Sequence, residues 1–204
     1  MSARPAVDPA AFRRAVGEFA TGVTVVTVQH GDRIHGMTAN SFTSVSLDPP
    51  LVLFCVGKSA RMARLIEQVE GFAVNILSDR QMQVSRQFAG ANKDDATRLV
   101  SLRRGPVAPL LSGSLAALSC RTSAVHEGGD HWIVIGEVIA IHEPEQARTN
   151  GPLAFFRSRY CDLIVPPTPA EAADRWSNDE IRIYHEEWSA GDVSEPAERR
   201  DLPW

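Results

Sequence analysis

Residues 114–142 read SLAALSCRTSAVHEGGDHWIVIGEVIAIH, two long extended runs (114–126 and 131–142) joined by Glu127-Gly128-Gly129-Asp130. Glycine reaches positive φ without a steric penalty, so this junction between β-prone runs predicts an antiparallel hairpin, the strongest in the chain. Working outward, Phe72-Ala73-Val74-Asn75-Ile76-Leu77 predicts a strand. Leu51-Val52-Leu53-Phe54-Cys55-Val56 follows the breaker Asp48-Pro49-Pro50 and is apolar throughout, which predicts a strand buried on both faces. Residues 23–28 are β-branched almost throughout, His30-Gly31-Asp32 supplies turn chemistry, and residues 33–42 resume an extended reading, so a second hairpin is expected.

Three helices fit between these strands. Asp8 reads as an N-cap with Pro9 at the first helical position, and Phe12, Val16 and Phe19 recur at helical spacing until Gly22. Ser59 is placed to cap a helix carrying Met62, Leu65, Ile66 and Val69 on one face, and Ser78-Asp79 open another that runs toward Phe88. Residues 90–113, rich in Gly, Pro, Asn and Asp, read as long surface connections. Six or more strands, mostly hairpin-linked, predict a mainly-β antiparallel barrel with short flanking helices. Strand and helix do not alternate steadily enough for a parallel doubly wound sheet.

The 204 residues are 44% hydrophobic and 23% charged with a net charge of −4, which excludes disordered, collagenous and coiled-coil classes. No run reaches the ~18–20 apolar residues of a membrane helix, and MSARPAVDPA lacks an apolar signal core, so a soluble cytoplasmic protein with no membrane association is expected. Cys55, Cys120 and Cys161 lie 65 and 41 positions apart, offering neither a disulfide framework nor a metal-binding pair, and read as free thiols. His30, His35, His126, His142 and His185 lack metal spacing, so no metal is expected. Residues 1–165 hold 17 Lys+Arg against 15 Asp+Glu, whereas 166–204 hold 4 against 10. Without a cationic run, nucleic acid is not the expected partner.

Candidate chemistry gathers in four places. Residues 36–46 pack five hydroxyl side chains and one amide into eleven positions; this could hydrogen-bond a flavin edge or a phosphate, or be a solvated edge strand in which Ser and Thr cap turns. Lys58-Ser59-Ala60-Arg61, at a helix start, is a plausible phosphate cradle, although no Walker or Gly-x-Gly-x-x-Gly pattern occurs. His131 follows the tight hairpin turn, either to meet a ligand at the barrel mouth or as a surface residue held by Asp130. Phe155-Phe156-Arg157-Ser158-Arg159-Tyr160 mixes aromatic faces with guanidiniums, as stacking on an anionic ligand or a core would. Neither Gly-x-Ser-x-Gly nor a Cys–His signature is present, leaving hydrolase chemistry unsupported.

Phe19-Ala20-Thr21-Gly22, the block from Thr38 to Leu51 with its Asp48-Pro49-Pro50, Asn75-Ile76-Leu77, Gly129-Asp130-His131 and Phe156-Arg157-Ser158-Arg159-Tyr160 stand in that order along the chain. Taken as a set, they make residues 12–160, about three quarters of the chain, resemble the flavin reductase family that supplies two-component monooxygenases. The resemblance implies an FMN-binding split β-barrel, antiparallel and Greek-key-like, over residues 8–165; outside it, Pro166-Pro167-Thr168-Pro169 reads as a stiff linker and 166–204 as an acidic extension. It implies an NAD(P)H:flavin oxidoreductase that reduces free FAD or FMN with NADH or NADPH and hands the reduced flavin to a separate flavin-dependent oxygenase. A non-catalytic flavin- or haem-binding module of the same fold is the alternative.

By position, the resemblance implies that Thr38, Ala39, Asn40, Ser41, Phe42, Ser44 and Val45 line the isoalloxazine and ribityl chain. Ser59, Ala60 and Arg61 would take the phosphate, with Leu65 and Ile66 closing behind it. His131, as the catalytic position, and Phe155, Phe156, Arg157 and Ser158 would meet the nicotinamide, with Tyr160 nearby. A split barrel exposes a broad apolar face, so a homodimer is expected. In the extension, Trp176, Ile181, Ile183, Tyr184 and Trp188 supply apolar groups suited to docking on the barrel or the partner subunit near the pocket mouth, or are incidental to a solvated acidic end.

Overall fold

The computed structural model describes residues 7–90, 100–143, 150–161 and 163. The extension beyond 165 and its proposed docking lie outside these residues. In chain order the elements are α1 (Pro9–Val16), β1 (Thr21–Gly22), β2 (Thr24–His30), β3 (Arg33–Ala39), β4 (Thr43–Leu47), β5 (Pro50–Gly57), α2 (Arg61–Ile66) and β6 (Gly71–Ile76). A single 3₁₀ turn (Asp79–Gln81) leads into α3 (Met82–Ala89), followed by β7 (Leu102–Arg103), β8 (Leu110–Leu111), β9 (Ala116–Gly128), β10 (His131–His142), β11 (Ala154–Phe156) and β12 (Arg159–Cys161).

Seven strands form one antiparallel sheet in the order β3-β2-β6-β9-β10-β5-β4. Its two edge strands, β3 and β4, are consecutive in the chain and joined by only Asn40, Ser41 and Phe42. In a flat sheet those edges would stand about 29 Å apart, yet the four steps from Ala39 to Thr43 reach at most about 14 Å. The sheet must therefore roll up, leaving a seam where β3 and β4 face each other without pairing. Two register shifts between β9 and β10 supply local bending, and Gly129 at φ +71° makes their turn.

The rolled sheet explains the core. Met37 of β3, Val26 and Val28 of β2, Phe72 and Val74 of β6, Val134 of β10 and Val52, Phe54 and Val56 of β5 share one cluster, with Met62 and Ile66 of α2 packed into it. Phe54 meets Phe72 edge to face, ring centroids 5.1 Å apart. A second cluster lies on the other face of β2, where Val25, with Val23 just ahead of the strand, meets Leu77, Phe88, Leu111 and Leu153. The β-branched run of β2 is thus buried on both sides. A Cβ at Gly36 would overlap the Phe88 ring, so glycine there lets α3 lie flat on β3.

Several expectations need correction. α1 ends at Val16 with Gly17 as its C-cap, five residues before Gly22, because the chain turns there to bring Thr21 opposite Phe155. Asp8 does cap α1, accepting from the amides of Ala10 and Ala11. Ser59 caps nothing: α2 starts at Arg61 behind an extended Ala60, with no side-chain cap. β5 alternates, burying Val52, Phe54 and Val56 while Leu51, Leu53 and Cys55 stay half-exposed, since no second layer covers its outer face among the described residues. Within residues 90–113, Ala108, Leu110 and Leu111 are buried. No helix among the described residues is long and apolar enough to cross a membrane.

Candidate active site

The seam opens into a cleft of about 790 Å³, within the range of small-molecule sites. Asn40, Ser41, Phe42 and Thr43 form one wall, the β11–β12 hairpin (Phe155, Arg157, Ser158) a second, and Phe12, Val16 and Phe19 a third. α1 buries none of its residues, and Phe12 (59% exposed), Val16 (54%) and Phe19 (75%) turn their apolar surface toward this space. Those three line the cleft, although the sequence marked Phe12 and Val16 only as a helical stripe and Phe19 also as the start of the Phe19–Gly22 motif. Thr21, Gly22 and Thr24 line it too.

The polar groups of this wall are partly engaged already. Ser41 Oγ accepts from the Cys55 amide at 3.0 Å and lies 3.3 Å from its carbonyl oxygen, continuing the ladder of β4 on β5 and fixing the crossing of the seam. Asn40 Nδ2 donates to Thr21 Oγ1 at 3.3 Å. Thr38 points away, its hydroxyl donating to the Ser85 carbonyl at 2.6 Å, and Ala39 is buried with its carbonyl accepting from Thr24. Ser44 and Val45 lie on the exposed edge strand β4.

A second cluster sits at the adjoining barrel end. His131 is opposite Gly57 in register, and Ser41 bonds β5 two residues earlier, about 7 Å along the strand. His131 Nδ1 lies 2.8 Å from Asp130 Oδ1; an ionised carboxylate only accepts, so Nδ1 carries the proton and a neutral ring leaves Nε2 as its acceptor. Bonding to the ring, then the attraction of the imidazolium when the ring is protonated, hold the Asp130 carboxyl below its ordinary pKa. The Lys58 amide donates to the Asp130 carbonyl at 3.0 Å. Lys58 Nζ meets Glu127 at 2.7 Å and lies 4.6 Å from the Trp132 ring centroid. Ser59, Ala60 and Arg61 stand one residue, Lys58, beyond the strand end that faces His131. Leu65 packs half-buried against the core, whereas Ile66 is a core residue at 3% exposure.

On the hairpin, Arg157 and Ser158 both take positive φ (49° and 61°), forming a two-residue turn. Phe156 carries the Arg157 guanidinium 5.0 Å from its ring centroid, and Tyr160 stands behind the wall, edge-on to Phe155 at 5.4 Å. Of the residues singled out from sequence, the structure brings Asn40, Ser41, Phe42, Phe155, Arg157 and Ser158 into one cleft. It places His131 and residues 59–61 at a neighbouring end, and gives Thr38, Ala39, Ile66 and Tyr160 to the supporting framework.

A planar heteroaromatic group fits this cleft: four phenylalanines offer faces for stacking, while Asn40, Ser41, Thr43 and Ser158 offer polar groups at its edge. Fold and cleft together define a mainly antiparallel β protein whose cleft suits a flat, polar-edged ligand. The chain belongs to the family of flavin reductase like domains, whose profile matches residues 16–163. It is 40% identical over 170 residues to HsaB, the reductase subunit of a flavin-dependent monooxygenase of Mycobacterium tuberculosis, covering 82% of this chain and 90% of that one. An NADH-dependent flavin reductase of a Rhodococcus species is 46% identical over 163 residues, covering 78% and 89% respectively. Among solved structures, the NADH:FAD oxidoreductase SgcE6 of Streptomyces globisporus, in complex with NAD and FAD fragments, superposes with a TM-score of 0.73 at 41% identity, covering 81% of this chain and 100% of that one.

Proposed function

We propose that this chain is an NAD(P)H:flavin oxidoreductase that reduces free FAD or FMN and supplies it to a separate flavin-dependent oxygenase. The observation that carries this reading is the aromatic-walled cleft at the seam, in a chain whose relatives are named as NADH-dependent flavin reductases and monooxygenase reductase components. Those names make NADH and FAD the first pair to test. Bound flavin would supply the hydride acceptor and the nicotinamide the donor, so the cofactors would carry the redox chemistry. The chain's own part is to bind and orient. Asn40, Ser41, Phe42 and Thr43 hold a ring edge at the seam, and the Lys58–Arg61 segment takes a phosphate. Phe155 to Ser158 and His131 position the donor. No acid–base pair is required.

Mixing purified protein with free flavin and NADH separates this from a binding module: catalytic loss of nicotinamide absorbance supports it, whereas stoichiometric flavin binding without turnover overturns it. A homodimer belongs to the same proposal, because Phe12, Val16 and Phe19 with Ile139 and Ile141 leave large apolar groups exposed on one chain. Light scattering should give about twice the 22.3 kDa chain mass, and a monomer at micromolar concentration would refute it.

A further inference from the structure

Ser85 is a fully buried hydroxyl on α3, beside the apolar cluster around Phe88 and Leu111. A buried hydroxyl needs a partner, and a helix ordinarily offers the carbonyl four residues back. Ser85 instead reaches across to the Tyr160 hydroxyl at 2.8 Å, while its own carbonyl accepts from Thr38 at 2.6 Å. Arg86, the next residue, lies 5.6 Å from the Tyr160 ring centroid.

These bonds form a closed circuit behind the cleft. Tyr160 is paired with Phe155 across the β11–β12 hairpin, and Phe155 is paired with Thr21 of β1. Thr21 accepts from Asn40, which stands two residues beyond Thr38, and Thr38 returns to Ser85. Thr21, Asn40 and Phe155 line the cleft, whereas Thr38, Ser85 and Tyr160 do not. Ser85 thus ties both opposing walls to one helix. We infer that Ser85 is a positioning residue which, through Tyr160 and Thr38, sets the spacing between the Asn40 wall and the Phe155–Ser158 wall and thereby the binding of the nicotinamide dinucleotide. This rests on the proposed flavin reductase activity.

The test uses the full chain with Ser85→Ala, Tyr160→Phe, the double variant, and Ser85→Cys, which keeps the shape and fills the space with a somewhat larger atom but bonds weakly. The readouts are the nicotinamide KM and kcat, the Kd of unreactive NAD⁺ by calorimetry, flavin Kd by fluorescence, and Tm. Each single variant should raise the nicotinamide KM and the NAD⁺ Kd about five- to tenfold, the factor of one lost hydrogen bond, with kcat and flavin Kd within about twofold. The double variant should be no worse than either single one, and Ser85→Cys should behave like Ser85→Ala. Lower Tm with unchanged KM and NAD⁺ Kd would overturn the inference, as would wild-type binding in Ser85→Cys, which would make the effect one of packing. A wild-type chain that fails to reduce flavin sinks the functional proposal instead, so the two failures are distinguishable.

Discussion

The guanidinium of Arg157 closes on the carboxylate of Glu18, Nη2 to Oε2 at 2.7 Å and Nε to both oxygens at 2.9 and 3.0 Å, across 139 residues of sequence. The Arg157 amide adds a bond to the Gly17 carbonyl at 2.9 Å, so the tip of the β11–β12 hairpin is fastened to the exit of α1. Bonding to Glu18 raises the Arg157 pKa further and partly neutralises a cation that faces the cleft. Glu18→Gln keeps the shape and removes the charge. Its nicotinamide KM should fall at low ionic strength and return to the wild-type value above about 0.5 M salt, where the Debye length is only a few ångströms. A KM independent of salt in both proteins would show that the released cation does not meet the dinucleotide.

His131 tests the barrel end. His131→Ala is expected to raise the nicotinamide KM or lower kcat while flavin affinity stays nearly constant, the pattern of a lost positioning contact. Unchanged steady-state kinetics would reduce His131 to a turn residue.

Acid titration tests its partner. Asp130 has a depressed folded pKa, so its contribution is present above the ordinary carboxyl value of ~3.9 and lost only as pH falls through the lower folded one. The Tm difference between wild type and Asp130→Asn should persist down to about pH 4 and close below it. A gap that closed between pH 7 and 5 would contradict the assignment.

Gly36→Ala should cost about 1–3 kcal/mol by forcing its Cβ against the Phe88 ring, and Phe88→Leu in the same chain should recover part of that loss. Chemical denaturation of the two variants provides the check.

Asn75 is fully buried: Nδ2 donates to the Val25 carbonyl at 2.9 Å and to Thr27 at 3.2 Å, and Oδ1 accepts from the Leu111 amide at 2.8 Å. Asn75→Ala strands the Leu111 amide and is expected to lower stability by about 2–4 kcal/mol, measured by denaturation.

Much of the barrel was legible because its signals are local. The Gly128-Gly129 turn, the β-branched run of β2 and the Asp8-Pro9 start of α1 each decide their own few residues. The site was legible only in composition. That residues 40–43 and 155–158 meet at one cleft depends on the seam, which exists because a three-residue link joins the two edges of a seven-stranded sheet. Nothing local reveals that Ser41 would bond β5, that Thr38 would turn outward, or that Glu18 would find Arg157. Ser59 was misread as a cap because α2 begins two residues later behind Ala60, with neither residue supplying a cap bond. One local hint did exist for the third wall: Phe12, Val16 and Phe19 form an apolar stripe on either side of Gly17, at the end of a short helix whose other residues are mostly polar or small.

The unpaired seam makes this barrel a hoop fastened by a short clasp. A ligand seated against Asn40, Ser41 and Phe42 touches that clasp itself, so occupancy acts as a splint: at a hundredfold excess over Kd it adds about 2.7 kcal/mol to the resistance against opening. Amide exchange at residues 39–43 should slow accordingly when flavin is present. If flavin seats there, the chain's lifetime against proteases becomes coupled to flavin supply, and the protein that has released its flavin is the form more open to cleavage.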